Sequence, residues 1–293
     1  NVLCRLRRVA AFHGASPKFA ACSATIGNPA ELAESVLGAS ASAVLESGAP
    51  EGPRTLLVYN PELVGPTLGL RRSALKVAAK LTGDLVERGV TTLAFCQTRR
   101  GVEVTLRYLR ARLASAGRSP ERVRGYRGGY LPELRREIEN ALRAGELDAV
   151  VATNALELGI DVGGLDAVVM AGYPGTIAAT LQRAGRAGRR CEPSLAVLVA
   201  RSEPLDQFLA REPAFLFESS PERALVAPNN IEILLPHLAC AAFELPFAKG
   251  ERFGSLDMDD MRAALGCLVA EGTLVEVKDE YHFIGASYPA ADV

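Results

Sequence analysis

Between residues 71 and 225, short apolar segments alternate regularly with segments of helical periodicity. The apolar segments contain almost no polar residue, as in "LDAVVMAG" and "LAVLVA". A strand that is apolar throughout must be covered on both faces, and helices that connect successive parallel strands provide that cover. The alternation therefore predicts an α/β fold, with a parallel sheet and helices on both faces, whose ligands bind beyond the carboxyl ends of the strands.

The residues before this alternation follow a less regular pattern. Residues 1–50 predict a helix over about residues 1–12, a short strand in "KFAACSAT", and a helix that begins at Asn28-Pro29, with Asn28 as N-cap. Residues 51–70 combine a strand over Arg54–Tyr59 with Pro- and Gly-rich sequence, which is typical of a linker. A domain boundary is therefore expected near residue 65.

After about residue 225 the pattern changes again. Two helices are predicted, in "NNIEILLPHLACAAFELPF" and "DMDDMRAALGCLVAEG", and "TLVEVKDEYHFIG" alternates like a hairpin that turns at Lys278-Asp279. Two or three helices followed by a hairpin form the outline of a winged helix, a variant of the helix-turn-helix. A generic small α+β cap fits the same pattern, so both interpretations stay open on pattern alone.

The chain has a formal net charge of −1, but its positive charge is concentrated in one region. Residues 99–143 contain 12 Arg and no Lys against 5 Glu and no Asp, which gives +7 and leaves −8 for the rest. A local basic region on a nearly neutral chain suits the binding of a polyanion. Only 5 of the 33 basic residues are Lys, however, so a coding bias toward Arg and solvated helix faces explain the same numbers.

Three short segments carry residue types that contact phosphates and sugars. Ser23-Ala24-Thr25 ends the first predicted strand, and small hydroxyls at a strand end suit phosphate contacts. In "ATNALELGIDVGG", Gly159 and Asp161 can bring backbone and a carboxylate close to a sugar hydroxyl. In "QRAGRAGRR", Arg186 and Arg189 are three residues apart, so we expect them to share a helix face and to reach one polyphosphate. Each segment is a weak signal alone, whereas their order and spacing together are much more specific.

With these segments in this order, the chain resembles the second half of superfamily 2 helicases of the DEAD/H-box group. Ser23-Ala24-Thr25 resembles motif III, "TLAFCQTRR" motif IV, "ATNALELGID" motif V, and Gln182-x-x-Gly185-Arg186-x-Gly188-Arg189 motif VI. The segments "YRGGYLPELRREIE" and "AGYPGTIAATLQRAGRAGRR" resemble the branch of DNA helicases that contains the mitomycin repair helicase, the SftH type and the Hrq type.

The resemblance covers essentially the whole chain and implies four parts. Residues 1–50 would be the tail of a first RecA-like domain, and residues 51–70 a strand and linker. Residues 71–225 would be the second RecA-like domain, the helicase C-terminal domain, and residues 226–293 a winged-helix domain. The implied fold is a RecA-like parallel sheet with helices on both faces, followed by a small winged-helix domain.

The implied activity is that of the C-terminal part of an ATP-dependent DNA helicase or translocase, which moves 3′ to 5′ on a single strand. Arg186 and Arg189 would be arginine fingers at the γ-phosphate of ATP, with Gln182 near them as a third catalytic residue. Gly159 and Asp161 would contact the nucleotide together with the two arginines. We expect both arginine side chains to lie unpaired or water-bound in an open cleft beside Asp161.

The same resemblance implies contacts to nucleic acid and between domains. The implied nucleic-acid contacts are Arg99, Arg100, Arg127, Thr153 and Asn154. Ser23 and Thr25 would couple the two RecA-like domains, and no metal ligand is predicted in this chain. The expected partners are single-stranded DNA, DNA duplex junctions and an upstream first RecA-like domain of the same protein.

Two elements that an intact helicase needs do not occur in the sequence. None of the 5 Lys follows a Gly, so the loop G-x-x-x-x-G-K-[ST], which cradles phosphates, is absent, and no D-E-x-H box precedes Ser23. In the helicases that the chain resembles, both elements lie upstream. ATP with Mg²⁺ would therefore be bound mainly by an upstream domain, and this chain alone is expected to be inactive.

The sequence also bears on where the protein is found. No stretch of about 20 apolar residues predicts a membrane span, and the N-terminus lacks the apolar region of a signal peptide. The 6 Cys include no C-x-x-C pair, which favours reduced thiols over a zinc site or a disulfide framework. We therefore expect no membrane partner and a cytoplasmic location, associated with the nucleoid if the source is bacterial.

Two other functions fit parts of the sequence. A non-catalytic RecA-like module that only binds nucleic acid would have no use for arginine fingers, so the intact motifs V and VI argue against it. An RNA helicase of the same superfamily would carry similar motifs. The segment "YRGGY" favours the DNA branch, but no residue in it indicates whether the protein would select RNA through its 2′-OH, so this alternative stays open.

Overall fold

The chain folds into two units in the computed structural model, which describes residues 1–46, 48–49, 52–65, 67, 69–157, 165–188 and 192–292. The larger unit comprises Glu46–Glu222, and the smaller unit combines Asn1–Leu45 with Arg223–Val293. The smaller unit begins with α1 (Val2–Phe12) and α2 (Pro29–Leu37). Each unit has a buried apolar core of its own.

A six-stranded parallel sheet forms the centre of the larger unit. The strands described in this unit are β1 (Arg54–Tyr59), β2 (Leu63–Gly65), β3 (Leu70–Arg71), β4 (Thr92–Cys96), β5 (Val123–Tyr126), β6 (Ala149–Ala152), β7 (Ala167–Ala171) and β8 (Ser194–Val199). The sheet has the order β1-β8-β7-β4-β6-β5, and β2 pairs with β3 in a separate antiparallel ribbon. Every residue of β4, β6 and β7 is buried, as their almost entirely apolar sequences predict.

Helices cover this sheet on both faces, which confirms the predicted fold class. The helices described in the larger unit are α3 (Ala74–Glu87), α4 (Arg99–Ser115), α5 (Pro132–Arg143), α6 (Ile177–Ala184), α7 (Pro204–Arg211) and α8 (Ala214–Glu218). Helices α3 and α4 pack on the face that carries Ala94 and Cys96. Helices α5 to α8 pack on the face that carries Leu93 and Phe95, because successive side chains of a strand point to opposite faces.

Strand β1 lies in the sheet rather than in a linker. It pairs with β8 in parallel over all six residues, from Arg54 opposite Ser194 to Tyr59 opposite Val199. The unit that contains the sheet accordingly begins at Glu46, before the boundary expected near residue 65. Hydrogen bonds between strands far apart in the chain place β1 here, and local composition does not encode such pairing. The assignment of the four predicted parts to domains stays a prediction.

The smaller unit is built from helices and a three-stranded antiparallel sheet. Its remaining elements are α9 (Ile231–Glu244), β9 (Phe247–Ala248), α10 (Met258–Ala270), β10 (Leu274–Val277) and β11 (Glu280–Phe283). The predicted hairpin is confirmed, since β10 pairs with β11 and Lys278 adopts a positive φ of 57° at the turn. Helix α1 belongs to this unit, because Arg8 binds Glu251 at 2.6 Å and stacks on the ring of Phe247. The identity of the unit as a winged helix stays a prediction.

The segment between α1 and α2 differs from the sequence-based expectation. No strand forms in "KFAACSAT", whose residues lie in an irregular segment with mostly exposed side chains. A strand needs a neighbour to satisfy its backbone groups, and no described strand pairs with this segment. Helix α2 begins at Pro29 as predicted, but the amide of Asn28 does not cap it. That amide instead exchanges two hydrogen bonds with the backbone of Ala224, at 2.9 and 3.0 Å.

Some features that would indicate a membrane span or a metal site do not occur in the described part of the chain. None of its helices combines the length and the apolar character needed to cross a membrane. The same residues contain no group of three or more His, Cys, Asp or Glu that could hold a metal ion. Of the described cysteines, Cys96 and Cys240 are buried, and Cys22 and Cys267 are exposed.

The carboxylate of Glu222, which is distant in the chain, caps the N-terminus of α6. Glu222 accepts hydrogen bonds from the backbone N–H groups of Ile177 and Ala178, at 2.6 and 2.9 Å. The side chain of Thr176 accepts a third, from Ala179, at 3.0 Å. Burial alone would raise the pKa of Glu222, but the bonds from Ala178 and Ile177 outweigh it, so the pKa lies below its ordinary value of 4.5. The carboxylate therefore stabilises the helix that carries the predicted motif VI.

We expect Glu222→Gln to lower the free energy of unfolding at pH 7 by about 1 kcal/mol, a typical contribution of a helix N-cap. Because the pKa of Glu222 is lowered by folding, its stabilisation is present above the unfolded pKa and is lost as pH falls through the folded pKa. Urea denaturation at pH 7 and at about pH 3 checks this. A difference between the two proteins that stays constant over this range would contradict it.

Candidate functional site

A cleft of about 440 Å³ opens at the carboxyl edge of the sheet in the larger unit. Its walls come from residues that directly follow four strands: Gln97 after β4, Asn154 after β6, Tyr173 after β7 and Arg201 after β8. The other lining residues are Pro174, Gly175, Arg183, Glu203, Leu205 and Asp206. Parallel α/β sheets bind their ligands at this edge.

The floor of the cleft is held by a network around one buried carboxylate. Asp206 is 2% exposed and accepts hydrogen bonds from the backbone N–H groups of Tyr173 at 3.1 Å and Arg201 at 2.8 Å. The guanidinium of Arg201 also donates to Asp206 at 3.2 Å and to the side chain of Gln97 at 2.6 Å. Burial, with a smaller effect of the Glu222 carboxylate, raises the pKa of Tyr173 to about 12. The network therefore fixes the ends of three neighbouring strands relative to one another.

No motif in the sequence identifies the residues of this network. Gln97, Tyr173 and Arg201 each stand one or two residues after a buried strand, which is the signal that could have identified them. Asp206 lies in α7 and gives no such signal, because its partners are up to 33 residues away in the chain. Only the packing of α7 brings its carboxylate to the strand ends.

One residue of the predicted motif V binds two arginines, Arg186 of the predicted motif VI and the neighbouring Arg183. Glu157 follows the single-turn 3₁₀ helix Asn154–Leu156, and its carboxylate accepts a hydrogen bond from Arg183 at 2.7 Å. Its backbone carbonyl accepts two hydrogen bonds from Arg186, at 3.1 and 2.7 Å. The expectation that Arg186 lies unpaired is therefore wrong, because the carbonyl at the end of the 3₁₀ helix is in reach of its planar guanidinium.

Arg183, which lies outside the predicted motif, forms one of the most buried ion pairs described in the structure. Its side chain is 7% exposed and that of Glu157 is 15% exposed. The guanidinium also lies 5.0 Å from the centre of the Phe95 ring, a distance suited to a cation–π interaction. Arg183 thus has a fixed position between the sheet and α6.

The backbone after α6 does not continue as a helix. Helix α6 ends at Ala184, and Ala187 forms a parallel β-bridge with Leu165. Gly188 then adopts a φ of 112°, and its N–H donates to the carbonyl of Leu165 at 2.8 Å. The expectation that Arg186 and Arg189 share a helix face is wrong, because α6 ends at Ala184 and Arg186 lies beyond it, next to the bridge of Ala187 with Leu165.

The remaining residues expected at the nucleotide divide into described and undescribed positions. Gln182 lies half-buried in the last turn of α6. Gly159, Asp161 and Arg189 lie outside the described residues. Their roles, and that of Gln182, stay predictions.

The residues expected to contact nucleic acid follow three neighbouring strands, so they lie along the carboxyl edge. Arg99 and Arg100 are exposed at the start of α4, which the side chain of Thr98 caps by accepting from Gly101 at 3.0 Å. Thr153 is buried and Asn154 exposed, immediately after β6. Arg127 completes this set after β5.

Arg99 and Arg127 converge on the glycine loop that follows β5. A Cβ atom built on Gly129 would lie 3.5 Å from the guanidinium of Arg127 and 3.8 Å from that of Arg99. The charge of Arg127 is partly balanced, since Glu103 accepts a hydrogen bond from it at 2.8 Å. Its guanidinium also stacks 4.6 Å from the centre of the Tyr130 ring. Arg99 and Arg100 are therefore the more exposed cations at this end of the sheet.

Ser23 and Thr25 lie in the smaller unit, in the irregular segment before α2. Ser23 is exposed and Thr25 is half-buried. The role in interdomain coupling that the sequence suggests for them stays a prediction.

Comparison with known proteins relates this fold and site to helicases. Residues 74–191 match the family described as the helicase conserved C-terminal domain. The chain is 43% identical over 293 residues to the ATP-dependent helicase YprA of Bacillus subtilis, covering all of this chain and 39% of YprA. It is 40% identical over 236 residues to the ATP-dependent helicase HRQ1 of Saccharomyces cerevisiae, covering 78% of this chain and 22% of HRQ1.

Solved structures agree with these sequence relationships. Crystal structures of the DUF1998 helicase MrfA bound to DNA, and bound to DNA and AMPPNP, superpose on the whole of this chain with TM-scores of 0.94 and 0.93. Both are 42% identical to it, and the aligned part is 38% and 40% of those chains. The chain therefore spans about two fifths of the length of YprA and MrfA.

Proposed function

We propose that this chain is the C-terminal part of an ATP-dependent DNA helicase. The premise is that the chain belongs to superfamily 2 helicases, in the branch of Hrq1 and MrfA, and corresponds to their C-terminal half. In this proposal the intact protein hydrolyses ATP to move 3′ to 5′ along a single strand. The RecA-like unit supplies arginine fingers and part of the track for the strand. Duplex junctions and an upstream first RecA-like domain are the further partners proposed.

One observation carries this proposal within the chain itself. The segment after β6 holds Thr153 and Asn154, the expected contacts to the strand, and ends at Glu157, whose carbonyl binds Arg186. The short segment that holds the expected contacts to DNA thus also binds a cation expected at ATP. A helicase needs such proximity, because the strand must influence hydrolysis.

The cations of the chain have separate parts in the proposed reaction. ATP, when bound, supplies the phosphoryl group that is transferred to water. Arg186 and Arg189 would stabilise the charge that develops on the γ-phosphate oxygens. Arg183 would not reach the nucleotide, because Glu157 and Phe95 hold it in the interior. Gly159 and Asp161 would contact the ribose. An upstream domain would hold most of the nucleotide and Mg²⁺.

The proposed track for the strand runs along the ends of β4, β5 and β6. Arg99, Arg100 and Arg127 would contact backbone phosphates, and the short side chains of Thr153 and Asn154 would hydrogen-bond the same backbone. Contacts of this kind carry no sequence information, which suits an enzyme that must move along any sequence.

We expect Arg99→Ala with Arg100→Ala to weaken the binding of all single-stranded sequences alike in the intact protein. Each lost phosphate contact should change the slope of log K against log salt concentration by about 0.7 on single strands, so the double variant should flatten it by up to about 1.4. Fluorescence anisotropy with two unrelated oligonucleotides across a salt series measures the slope.

The matched control is Arg88→Ala with Arg122→Ala. Both side chains are exposed, but they precede β4 and β5 and so lie at the opposite edge of the same sheet. This control removes the same charge and should leave the slope unchanged. If both double variants flatten the slope equally, the overall positive charge of the protein determines the binding of single strands, and the proposed track is rejected.

The experiment that tests the proposed function compares ATP hydrolysis by the intact protein with single-stranded DNA, with RNA of the same sequence and without nucleic acid. We expect strong stimulation by DNA and less by RNA. Equal stimulation by both would favour an RNA or general helicase, and hydrolysis that ignores nucleic acid would reject the proposal.

A further inference from the structure

A patch of positive charge lies on the outer surface of α3 and α4 in the larger unit. Four exposed cations form it, and we call them the outer patch: Lys76, Lys80, Arg100 and Arg107. The two lysines are about one turn apart on α3, and the two arginines are about two turns apart on α4, so each pair shares a helix face. Only Arg100 belongs to the proposed track, and the other three cations have no assigned role.

Contacts between the two helices fix the surface that carries the outer patch. The guanidinium of Arg112 on α4 donates to the backbone carbonyl of Lys80 at 2.6 Å and to the carboxylate of Glu87 at 3.0 Å, both on α3. The ammonium of Lys76 lies 5.6 Å from the centre of the Tyr108 ring, a distance suited to a cation–π interaction. The two helices therefore present their cations side by side on one surface.

The charge of the outer patch is not balanced within the described part of the chain. None of its four side chains forms a hydrogen bond or an ion pair with another described residue. The carboxylates of α3 and α4 are bound by other arginines, since Asp84 and Glu87 pair with Arg112. Glu103 pairs with Arg127. The patch is therefore complementary to a polyanion.

The residue types of the outer patch suit single-stranded nucleic acid. Two of the 5 Lys of the chain stand in it, and a coding bias toward Arg does not account for Lys at these positions. Tyr108 adds an aromatic ring that is 38% exposed next to the cations. Proteins bind single strands with cations along the backbone and aromatic side chains at the bases. The patch combines both.

The outer patch leads away from the proposed track. Helix α3 ends shortly before β4 and α4 shortly before β5, so both helices run from the carboxyl edge of the sheet toward its amino edge. Arg100 lies at the carboxyl edge, and Arg107 lies about 10 Å further along α4 at a rise of about 1.5 Å per residue. A strand on the patch therefore follows the outer surface of the helices, whereas the proposed track follows the strand ends.

We infer that the outer patch binds a second single strand, the one that is separated from the tracked strand at a duplex junction. The inference rests on the proposed function and extends it with a site for the other strand. The cations contact backbone phosphates, and Tyr108 is available to an unpaired base. Holding the separated strand at this surface would hinder its pairing again with the tracked strand.

Two DNA substrates test this inference with the intact protein in the absence of ATP. One is a duplex with a 3′ single-stranded arm, and the other is a fork that has the same 3′ arm and also a 5′ arm. Because the proposed movement is 3′ to 5′, the 3′ arm is the tracked strand and the 5′ arm is the separated one. Fluorescence anisotropy across a salt series gives the affinity and the salt slope for each. We expect wild type to bind the fork more tightly and with the steeper slope.

The test variant combines Lys76→Ala, Lys80→Ala and Arg107→Ala, and it keeps Arg100 because that residue belongs to the proposed track. Each lost phosphate contact should change the slope of log K against log salt concentration by about 0.7 on single strands. The triple variant should therefore flatten the slope for the fork by up to about 2.1. Its affinity and slope for the tailed duplex should stay those of wild type.

The matched control combines Arg88→Ala, Arg136→Ala and Arg211→Ala. These side chains are exposed, and none forms a hydrogen bond or an ion pair with another residue that the structure describes. They lie outside the outer patch, just after α3, on α5 and at the end of α7. The control removes the same charge and should bind both substrates as wild type does.

The outcomes separate the inference from the proposed function. A loss confined to the fork and to the test variant supports the inference. The inference is overturned if the test variant keeps the wild-type difference between the substrates, if it loses affinity for both alike, or if wild type does not distinguish them. ATP hydrolysis with the tailed duplex judges the proposed function separately, because wild type that this substrate does not stimulate rejects the function. The test variant should be stimulated as wild type is.

Discussion

We expect Arg189→Ala in the intact protein to lower kcat of DNA-stimulated ATP hydrolysis by about 10³- to 10⁵-fold, and Arg186→Ala to lower it by a similar or smaller factor. Such a loss corresponds to roughly 4–7 kcal/mol of activation free energy. The physical reason is that a guanidinium at the γ-phosphate stabilises charge that is largest in the transition state. Steady-state kinetics with saturating single-stranded DNA measures the effect.

The same variants should retain their fold and their affinity for DNA, because the proposed interaction is with ATP. Arg189→Lys should not restore activity, since an ammonium group does not reproduce the planar, forked guanidinium. Arg136→Ala, which removes an exposed arginine from α5, serves as the control and should be fully active. A loss below tenfold in both Arg186→Ala and Arg189→Ala would contradict their assignment as arginine fingers.

The 293-residue chain alone should hydrolyse ATP no faster than its own Arg189→Ala variant. The sequence contains no Gly-Lys-[Ser/Thr] element, so no loop of backbone N–H groups with a lysine is available for the β- and γ-phosphates. Arginine fingers act only on a nucleotide that is already positioned. A steady-state ATPase assay with and without single-stranded DNA checks this expectation.

Binding of DNA by the same preparation shows that an inactive chain is folded. We expect salt-dependent affinity for single strands, weakened by Arg99→Ala with Arg100→Ala, alongside the absence of turnover. Turnover at a rate typical of helicases that Arg189→Ala abolishes would contradict the expectation, because it would place a complete ATP site within this chain.

Much of the fold could be predicted because its signals are local. Strands β4, β6 and β7 are buried on both faces and are apolar except for Thr92, so their sequences alone distinguish them from strands with one face in water. The hairpin turn at Lys278 also follows from alternation on either side of it. The strand predicted in "KFAACSAT" failed for the complementary reason, since an apolar sequence forms a strand only when a neighbouring strand is present.

The candidate site was predicted less completely than the fold. The structure places Arg99, Arg127 and Asn154, which the sequence suggested as contacts to nucleic acid, after β4, β5 and β6, and the carboxyl ends of parallel strands share one edge. The prediction for Arg186 was wrong, because the helix was expected to continue past Ala184, where α6 ends. The β-bridge of Ala187 with Leu165, which redirects the chain, joins residues 22 positions apart and leaves no local pattern.

The sequence by itself determined that this chain forms a parallel α/β sheet and that basic and hydroxyl-bearing residues collect at one edge of it. Both follow from short-range patterns, because burial on two faces and the ends of strands are visible in neighbouring residues. Only the tertiary structure decided which polar groups meet there. Arg183 pairs with Glu157 across 26 residues, and Arg201 binds Gln97 across 104. Such partners are chosen by the order of strands in the sheet and the packing of helices on it, and these are properties of the whole fold.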